Sequence, residues 1–417
     1  MRRGSVRWII VVIMILLDWY VFQALKTVTQ NSSDKIRYII YGSYWAVSAF
    51  SILFLVLMPM LFTNDAYKSF RTYAFAIIVG LFFAKLLIGA FLVIDDLRRF
   101  AMWLTSKLFP DTGAHFTEND NLIPRSTFLS WIGLGLGAGL FGSLLYGFSN
   151  KYDYRVRRQK LRFPNLPKQF SGLKVVQISD VHSGSLQDKD GVEKGIRMIM
   201  DLKPDIIFFT GDLVNDKADE MKELKNVFKQ LNAPMGVFSV LGNHDYGDYV
   251  EWESATAKKE NLQRLIEIQK EMGWNILINE HAVIKNEGAE IAILGIENWS
   301  ARGRFPKYGK MSEAYQGTEI YPFKILLSHD PSHWEAEVIP KYPDVDLMLS
   351  GHTHGMQFGV ELPHFRWSPV QYIYKQWAGL YEEGKQKLYV NRGFGFIGYP
   401  GRVGILPEIT LLELEKG

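Results

Sequence analysis

The 417-residue sequence contains no cysteine. This absence excludes disulfide bonds, thiolate zinc sites, iron–sulfur clusters and cysteine nucleophiles, so any bound metal ion must be held by His, Asp, Glu, Asn or backbone oxygen atoms. The absence of cysteine does not distinguish an oxidising from a reducing compartment. With 47% hydrophobic and 22% charged residues, the chain is neither a disordered protein nor a small disulfide scaffold, and it is long enough for two or three domains.

Charged residues are scarce in the first 150 positions, which contain four apolar stretches of about 20 residues, the length that crosses a bilayer. We predict four membrane-spanning helices, at roughly 8–25, 38–62, 73–94 and 127–148. No small-residue cleavage site follows the first stretch, so we interpret it as a retained span and not as a signal peptide. The transmembrane domain is predicted over residues 1–150.

Two charged residues, Asp18 and Lys85, lie inside the predicted spans. A charge in the bilayer interior is costly unless it has a partner or faces a cavity. Both residues lie about 10 positions from the inner end of spans that run in the same direction, and we therefore predict that they pair. The functional alternative to a structural pair is a proton or ion relay.

Basic residues concentrate after the last predicted span, where positions 151–168 carry seven Lys and Arg against one Asp. We assign 151–170 to a basic juxtamembrane linker that meets the anionic inner leaflet. The loops on this side of the membrane carry more Lys and Arg than the opposite loops, which predicts a multi-pass protein of the cell (inner) membrane with a cytoplasmic C-terminal domain. No motif indicates a nucleic-acid partner.

From residue 171 the pattern changes to short, branched apolar runs separated by polar segments of helical length, which is typical of α/β domains. We predict buried strands at 173–179, 205–210, 236–241, 290–296, 324–328 and 346–350, and helices near 191–203, 216–231 and 253–272. The predicted architecture is therefore an α-helical transmembrane bundle followed by an α/β domain over 171–417.

Five of the six predicted strands are followed directly by side chains that can bind metal ions. In chain order the motifs are Asp180-Val-His182, Gly211-Asp212, Gly242-Asn243-His244-Asp245, His329-Asp330 and Gly351-His352-Thr353-His354-Gly355. Because ligands collect at the carboxyl ends of strands in α/β sheets, we expect these motifs to converge on a single site. Asp, His and Asn without Cys suit a divalent ion such as manganese, iron or zinc.

This ordered set of motifs resembles the calcineurin-like metallophosphoesterase superfamily, and its membrane-anchored bacterial branch in particular. The resemblance covers roughly 171–417 and includes the C-terminal segments LYVNRGFG and PEI-x-L-x-EL. It implies a catalytic domain of two mixed sheets sandwiched by helices. The sequence departs from the branch at Met356, where a second glycine is usual, and we expect this residue to line the mouth of the pocket.

Carried over residue by residue, the resemblance implies two divalent metal ions. The implied ligands are Asp180, His182 and His354 for one ion and Asn243, His329 and His352 for the other, with Asp212 bridging both. His244 stands where the family stabilises the transition state or protonates the leaving oxygen, and Asp245 is placed to orient it. The implied reaction is hydrolysis of a phosphoester or pyrophosphate bond through attack on phosphorus by a hydroxide that bridges the ions.

Other polar residues of the domain receive simpler interpretations. His281 and His333 are expected to pack or to lie at the surface, and His364 is a candidate for substrate contact. Arg392 and Arg402 either grip a phosphate in a forked contact or pair with carboxylates of the domain.

The segment 356–381 is crowded with aromatic residues beside Arg366 and Lys375. It is either an interfacial surface that touches lipid headgroups or an ordinary loop packed on the sheet. An interfacial surface would favour a substrate whose phosphoester or pyrophosphate is attached to a lipid, and the resemblance points the same way, since some relatives in this branch hydrolyse a nucleotide-linked acyl-sugar lipid.

The main hypothesis is a metal-dependent phosphohydrolase, such as a phosphodiesterase, that acts on a lipid-linked substrate at the membrane surface. Its partners are then the lipid bilayer and the phosphorylated substrate. One alternative is a hydrolase of soluble nucleotides or phosphoproteins that the membrane domain merely tethers. Another, from a different class, is a transporter or sensor with a regulatory phosphoesterase domain.

Overall fold

The computed structural model describes residues 3–61, 67–108, 124–302, 305 and 307–417. The chain divides into two compact units, Met1–Tyr146 and Gly147–Gly417. The boundary lies four residues before the end of the transmembrane domain predicted from the sequence.

The first unit is built from long helices. In the part of the chain that the structure describes they are α1 (Arg3–Val28), α2 (Asp34–Leu61), α3 (Lys68–Leu108) and α4 (Arg125–Gly147). All four are long and apolar enough to cross a membrane, which confirms the predicted number and positions of the spans. Much of their apolar surface is exposed, as expected where lipid and not water surrounds a helix. The third helix is longer than predicted because the segment RRFAMWLTSKL continues it to Leu108.

The two charged side chains within the spans form a buried ion pair. Lys85 Nζ lies 2.5 Å from Asp18 Oδ1 and also donates a hydrogen bond of 2.9 Å to Ser48 Oγ. Tyr44 donates its hydroxyl to the backbone carbonyl of Asp18 at 2.8 Å. The predicted pairing is confirmed, and it joins α1, α2 and α3 through polar contacts inside an apolar bundle.

The second unit contains two six-stranded mixed sheets. In sheet order the first consists of β1 (Arg155–Phe163), β14 (Glu408–Lys416), β2 (Leu173–Ile178), β3 (Ile206–Phe209), β4 (Val237–Ser239) and β5 (Asn275–Ile276). The second consists of β12 (Gly379–Glu383), β13 (Gln386–Val390), β9 (Leu347–Ser350), β8 (Lys324–Leu327), β7 (Ala289–Gly295) and β6 (Glu280–Asn286). A separate hairpin pairs β10 (Val360–Leu362) with β11 (Phe365–Trp367). All six predicted strands are present.

The sheets pack face to face, and helices cover their outer faces. Val175, Ile325 and Leu347 belong to one buried cluster that draws side chains from both sheets. The described helices of this unit are α5 (Lys189–Asp201), α6 (Lys225–Phe228), α7 (Ala255–Glu271), α8 (Met311–Tyr315) and α9 (Ile339–Lys341). The helix predicted over 216–231 is reduced to α6 and a preceding 3-10 turn. The predicted arrangement of two mixed sheets sandwiched by helices is confirmed.

The segment predicted as a basic linker is largely a strand. β1 runs parallel to the C-terminal strand β14 at the edge of the first sheet. Its basic side chains pair with acids of the same unit: Lys160 Nζ lies 2.9 Å from a carboxylate oxygen of Glu415, and Arg162 Nε lies 3.0 Å from the other. The linker prediction for 151–170 is therefore wrong over β1, because carboxylates of the domain neutralise part of the basic cluster.

Candidate metal centre

The predicted site residues lie just past the ends of β2, β3, β4, β8 and β9, at one edge of the sandwich. Non-glycine residues seldom adopt a positive φ, yet five predicted ligands do so. They are Asp180 (54°), His182 (49°), Asp212 (60°), His352 (72°) and His354 (50°). Backbone strain of this kind concentrates where function requires it. These strained turns direct side chains that follow separate strands towards the same edge of the sandwich.

The first group of side chains consists of Asp180, His182 and His354. The Nε2 atoms of the two imidazoles lie 3.0 Å apart, and His354 Nε2 lies 3.2 Å from Asp180 Oδ1. All three side chains are buried. Nitrogen and carboxylate oxygen atoms that converge in this way form a donor set that suits a divalent cation.

The second group consists of Asn243, His329 and His352. His352 Nδ1 lies 2.7 Å from Asn243 Oδ1 and 3.3 Å from His329 Nε2. Asp212 connects the two groups, because its Oδ2 atom lies 3.1 Å from His329 Nε2 and 3.5 Å from His182 Nε2. The structure thus brings together all seven side chains predicted as ligands, with one carboxylate oxygen between the two groups.

The protonation of most predicted ligands favours metal binding, and His329 is the exception. Burial lowers the pKa of His182, of His352 and of His354, which keeps their imidazoles neutral. Burial alone would raise the pKa of the Asp212 carboxyl, but the surrounding imidazoles, His329 foremost, together outweigh burial and hold that pKa well below its usual range. Burial lowers the pKa of His329, but the nearby carboxylates of Asp212 and Asp180 outweigh it and raise that pKa to about 10, so a metal ion must displace the proton of His329. Neutral imidazoles and ionised carboxylates are the forms that bind divalent metal ions.

His244 stands beside both groups, half-buried. Its Nδ1 atom lies 2.8 Å from the carbonyl oxygen of Asn215, and its ring meets that of His182 edge-on with centroids 4.9 Å apart. The carbonyl requires a proton on Nδ1, which leaves Nε2 as the atom for exchange with a substrate. The sequence did not indicate Asn215 as the residue that fixes this ring.

Asp245 does not orient His244 in the predicted way. Its buried carboxylate accepts hydrogen bonds from the backbone amides of Asp212 at 2.9 Å, Leu213 at 2.8 Å and Gly242 at 2.8 Å. Burial and the charge of Asp212 raise the pKa of Asp245 to about 7. Because its oxygen atoms are committed to these amides, Asp245 ties the loops after β3 and β4 together and is a positioning residue.

Comparison with known proteins places this geometry in a family. Residues 173–356 match the family described as Calcineurin-like phosphoesterase, and residues 2–151 match Probable Calcineurin-like phosphoesterase, transmembrane domain. The chain is 30% identical over 297 residues to the uncharacterized metallophosphoesterase YkuE of Bacillus subtilis, across 67% of this chain and 96% of YkuE. The chain belongs to the calcineurin-like phosphoesterase family.

Two further relatives carry informative names. The chain is 30% identical to the transmembrane protein with metallophosphoesterase domain of Danio rerio, across 60% of this chain and 55% of that protein, so the match spans about half the length of this relative. It is also 30% identical to the UDP-2,3-diacylglucosamine pyrophosphatase LpxG of Chlamydia trachomatis, across 55% of this chain and 81% of LpxG. The predicted family, the class of enzyme and the membrane character are confirmed at this level.

The phosphoesterase site contains two tyrosines that the sequence did not single out. Tyr374 places its hydroxyl 2.9 Å from His352 Nε2 and donates a hydrogen bond of 3.1 Å to Asp330 Oδ2. Tyr249 packs its ring on His244 with centroids 4.5 Å apart and accepts a hydrogen bond of 2.8 Å from Asn243 Nδ2. Aromatic spacing carried no signal for these contacts.

The guanidinium groups of the two arginines near the C-terminus are held by other groups of the domain. Arg392 forms ion pairs of 2.5 Å with Glu408 and 2.6 Å with Glu361, which bears out the carboxylate alternative. Arg402 is fully buried and donates to the backbone carbonyls of Arg392 at 2.7 Å and Gly393 at 3.1 Å. Both guanidinium groups are engaged inside the domain, behind the metal-facing edge.

The remaining histidines of the phosphoesterase unit lie outside the two groups. His333 is buried against Trp299, with ring centroids 4.5 Å apart, and His281 Nδ1 lies 3.2 Å from the carbonyl oxygen of Ala314. Both are packing residues, as predicted. His364 is exposed at the tip of the β10–β11 hairpin, and its contact with a substrate stays a prediction.

Met356 has a backbone conformation that favours glycine. Its φ of 55° lies in the left-handed region, which costs energy for any side chain other than glycine. The side chain is exposed two residues beyond His354. Its exposure beside the site agrees with the predicted place at the pocket mouth.

Proposed function

We propose that this phosphoesterase is a dimetal-dependent phosphohydrolase that cleaves a phosphoester or pyrophosphate bond of a lipid-linked substrate at the surface of the cell membrane. The observation that carries the proposal is the pair of donor groups that share Asp212 Oδ2. Two separate groups with one common carboxylate oxygen have the form expected of a two-ion site. The donor atoms of Asp180, His182 and His354 lie within 4.8 Å of one another, and so do those of Asp212, His329 and His352.

The residues fit the ions that the family implies. In the proposal Asp180, His182 and His354 hold one ion, Asn243, His329 and His352 hold the other, and Asp212 contacts both. Manganese, iron and zinc all accept such nitrogen and oxygen donors. When bound, such ions supply Lewis acidity and lower the pKa of a water molecule.

His244 has the geometry of the proton donor in this proposal. The carbonyl of Asn215 holds the Nδ1 proton, so a protonated ring presents Nε2–H to a phosphoryl or leaving oxygen. Asp245 fixes the backbone from which His244 projects, through the amide of Gly242. The ring of Tyr249, tilted against the imidazole with centroids 4.5 Å apart, restricts its movement further.

A lipid-linked substrate is supported by three observations. The chain has four helices that can span a membrane. Its relative LpxG is named for a pyrophosphatase activity on a nucleotide-linked diacylated sugar. The aromatic segment after the last metal motif exposes apolar side chains. We further propose that the phosphoesterase unit is cytoplasmic, as the distribution of Lys and Arg predicts.

The metal part of the proposal is tested on the full chain in detergent. We expect purified protein that has been stripped with a chelator and reloaded with Mn²⁺ to bind two ions and to hydrolyse bis(p-nitrophenyl) phosphate. Asp212→Ala should lose nearly all activity and bind fewer ions, whereas Asp153→Ala, at an exposed carboxylate, should behave as wild type. Full activity of Asp212→Ala would overturn the assignment.

The substrate part needs a matched pair of compounds. UDP-2,3-diacylglucosamine in mixed micelles and UDP-glucosamine in solution contain the same pyrophosphate and differ in the acyl chains. A clear preference of the full chain for the acylated compound supports a lipid-linked substrate. Equal rates on both would favour the alternative in which the membrane domain only tethers the enzyme.

A further inference from the structure

Exposed apolar side chains in the phosphoesterase unit are concentrated in one short segment. Among the residues of this unit that the structure describes, eight large hydrophobic side chains are exposed, and six of them lie within 356–373. They are Met356, Val360, Leu362, Phe365, Tyr372 and Ile373, between 42% and 77% exposed; we call them the apolar rim. Scattered single residues of this kind need no explanation, but a contiguous set marks an interaction surface.

The rim is continuous because its two parts are in contact. Leu362 pairs with Phe365, and Val360 pairs with Trp367, across the β10–β11 hairpin. Trp367 Nε1 then donates to the hydroxyl of Tyr372 at 3.4 Å, which joins the hairpin to the turn that follows it. Directly opposed residues of an antiparallel pair lie on the same face, so these side chains form one surface.

The hairpin is oriented with its charged face against the domain. Its third cross-strand pair, Glu361 and Arg366, lies on the other face. Glu361 forms ion pairs of 2.6 Å with both Arg157 and Arg392, and the Arg366 guanidinium lies 5.4 Å from the ring centroid of Trp377. A hairpin on a water-exposed surface normally presents its polar face outward. This one presents apolar side chains outward, whereas Glu361 is held inward by its two arginines and the exposed Arg366 lies over the ring of Trp377.

The base of the hairpin is connected through hydrogen bonds to the first residue of the second unit. Within the second unit, the backbone amide of Arg402 donates to the carbonyl of Gly147, the last residue of α4, at 2.9 Å. The next residue, Val403, accepts a hydrogen bond of 2.9 Å from the amide of Gly359, one residue before β10 begins. The rim therefore starts close to Gly147, the first residue of the second unit.

The rim also adjoins the metal centre. Ile373 immediately precedes Tyr374, whose hydroxyl contacts His352, and Met356 follows His354 by two positions. A lipid surface that held the rim would thus lie beside the site.

We propose that the apolar rim inserts into the interfacial layer of the bilayer and holds the metal centre at the lipid surface. Aliphatic and aromatic side chains with a phenol among them are the composition that enters this layer. The inference rests on the proposed function for its purpose, which is access to a lipid-linked phosphate. Its test requires neither substrate nor metal, so its failure and failure of the proposed function give different results.

The absence of cysteine allows a direct measurement. Single cysteines replace Phe365, Tyr372 or Ile320 in the full chain, which is labelled with the environment-sensitive dye NBD and reconstituted into vesicles of phosphatidylcholine and phosphatidylglycerol. Ile320 is the matched control, because it is 80% exposed and precedes β8, at the sheet edge opposite the metal centre. Melting curves in detergent verify that each variant is folded.

We expect blue-shifted emission at Phe365→Cys and Tyr372→Cys, and quenching by nitroxide-labelled lipid several-fold stronger than at Ile320→Cys. Adding Leu362→Ser to the labelled Tyr372→Cys chain should weaken this quenching. Equal quenching at the three positions would overturn the proposal. A blue shift that increases with protein density but is not accompanied by quenching from lipid would overturn the proposal in favour of contact between two copies of the chain. A blue shift that develops only after an acylated substrate is added would overturn it in favour of substrate binding by the rim.

Discussion

The membrane unit and the metal centre of this phosphoesterase bury charge in opposite ways. In the membrane unit, Asp18 and Lys85 neutralise each other at 2.5 Å. In the catalytic unit, Asp180 and Asp212 are equally buried, but within the described residues neither carboxylate forms an ion pair with Lys or Arg. Their partners are imidazoles and backbone amides.

The difference distinguishes buried charges that stabilise the fold from buried carboxylates that can bind a cation. A buried pair that compensates itself holds its partners in place and attracts nothing further. Two buried carboxylates surrounded mainly by neutral donors retain negative charge, and a cation is the natural complement. Substitutions in the first unit should therefore change stability, whereas substitutions at the metal-facing edge of the second should change chemistry.

The largest expected effect is on catalysis by His244→Gln. Glutamine can keep the contact with the carbonyl of Asn215 but cannot deliver a proton, so kcat on bis(p-nitrophenyl) phosphate should fall by about 10²–10⁴-fold. The melting temperature and the number of bound ions should stay at their wild-type values. His281→Gln, which alters a packing histidine of the same unit, should retain activity. A large loss of metal from His244→Gln would break the comparison, because it would make this residue part of the cation site.

The membrane unit should respond in stability. Lys85→Met leaves the Asp18 carboxylate buried without its cation, which costs on the order of 3–5 kcal/mol in the free energy of unfolding. Adding Asp18→Leu to Lys85→Met should recover much of this loss, because the uncompensated charge is then removed. Lys26→Met, at the end of α1, serves as the matched control.

Unfolding of the membrane unit can be followed by the reactivity of a cysteine introduced at Ala84, a buried position next to Lys85. Hydrolysis per folded molecule should be unchanged in Lys85→Met. If activity fell while folding was retained, the pair would serve a relay or coupling role, and the distinction between the units would not hold.

The sequence predicted the features that depend on local pattern. Six buried strands follow from apolar runs, and the site follows from polar residues placed directly after five of them, since parallel strands deliver their carboxyl ends to one edge. The sequence could not predict β1, because its alternating basic residues find their acids on β14, 255 residues away for Lys160 and Glu415. Local composition there indicated a linker.

The sequence could not predict the contacts made by loops either, because the partners in these contacts are also distant in sequence. Asn215 reaches the ring of His244 across 29 residues, and Tyr374 reaches His352 across 22 residues. Periodicity reports which side chains are buried, but it does not report which loops meet over a sheet edge. The role predicted for Asp245 failed because nearness in sequence to His244 suggested a side-chain contact, whereas the unpaired amides of two strand ends bind its carboxylate.

Tyr374→Phe should give an intermediate effect that sharpens the comparison. The hydroxyl links His352 Nε2 to the Asp330 carboxylate, an arrangement that fixes the orientation of a metal-binding imidazole. We expect metal affinity to weaken by about 10–100-fold, with activity recovered at saturating Mn²⁺. Tyr381→Phe is the control in the same region. Activity that stays low at saturating metal would show that Tyr374 acts on the substrate and not through His352.

The smallest expected effect comes from Asp346, a carboxylate whose pKa is raised mainly by burial. Asp346 lies at the edge opposite the metal centre, where it accepts hydrogen bonds from the amide of Lys324 at 2.8 Å and from Asn165 Nδ2 at 2.6 Å. Burial raises the pKa of Asp346 to about 6. A carboxyl whose pKa is higher in the folded protein contributes stability below its unfolded pKa and loses that contribution as pH rises through 6.

Asp346→Asn should therefore melt about 2–4 °C above wild type at pH 7.5, and the difference should shrink towards pH 4.5. Asp344→Asn is the control of opposite sign. Burial raises the pKa of Asp344, but the ammonium of Lys324, 2.9 Å away, and the hydroxyl of Tyr315 together outweigh burial and lower that pKa, so this variant should be less stable at pH 7.5. Melting curves of the full chain in detergent, with and without chelator, provide the measurement. If the difference in melting temperature between Asp346→Asn and wild type vanished when metal was removed, the stability effect of Asp346 would be coupled to the distant cation site. The pH dependence of stability could then not be assigned to Asp346 separately from the metal-facing carboxylates.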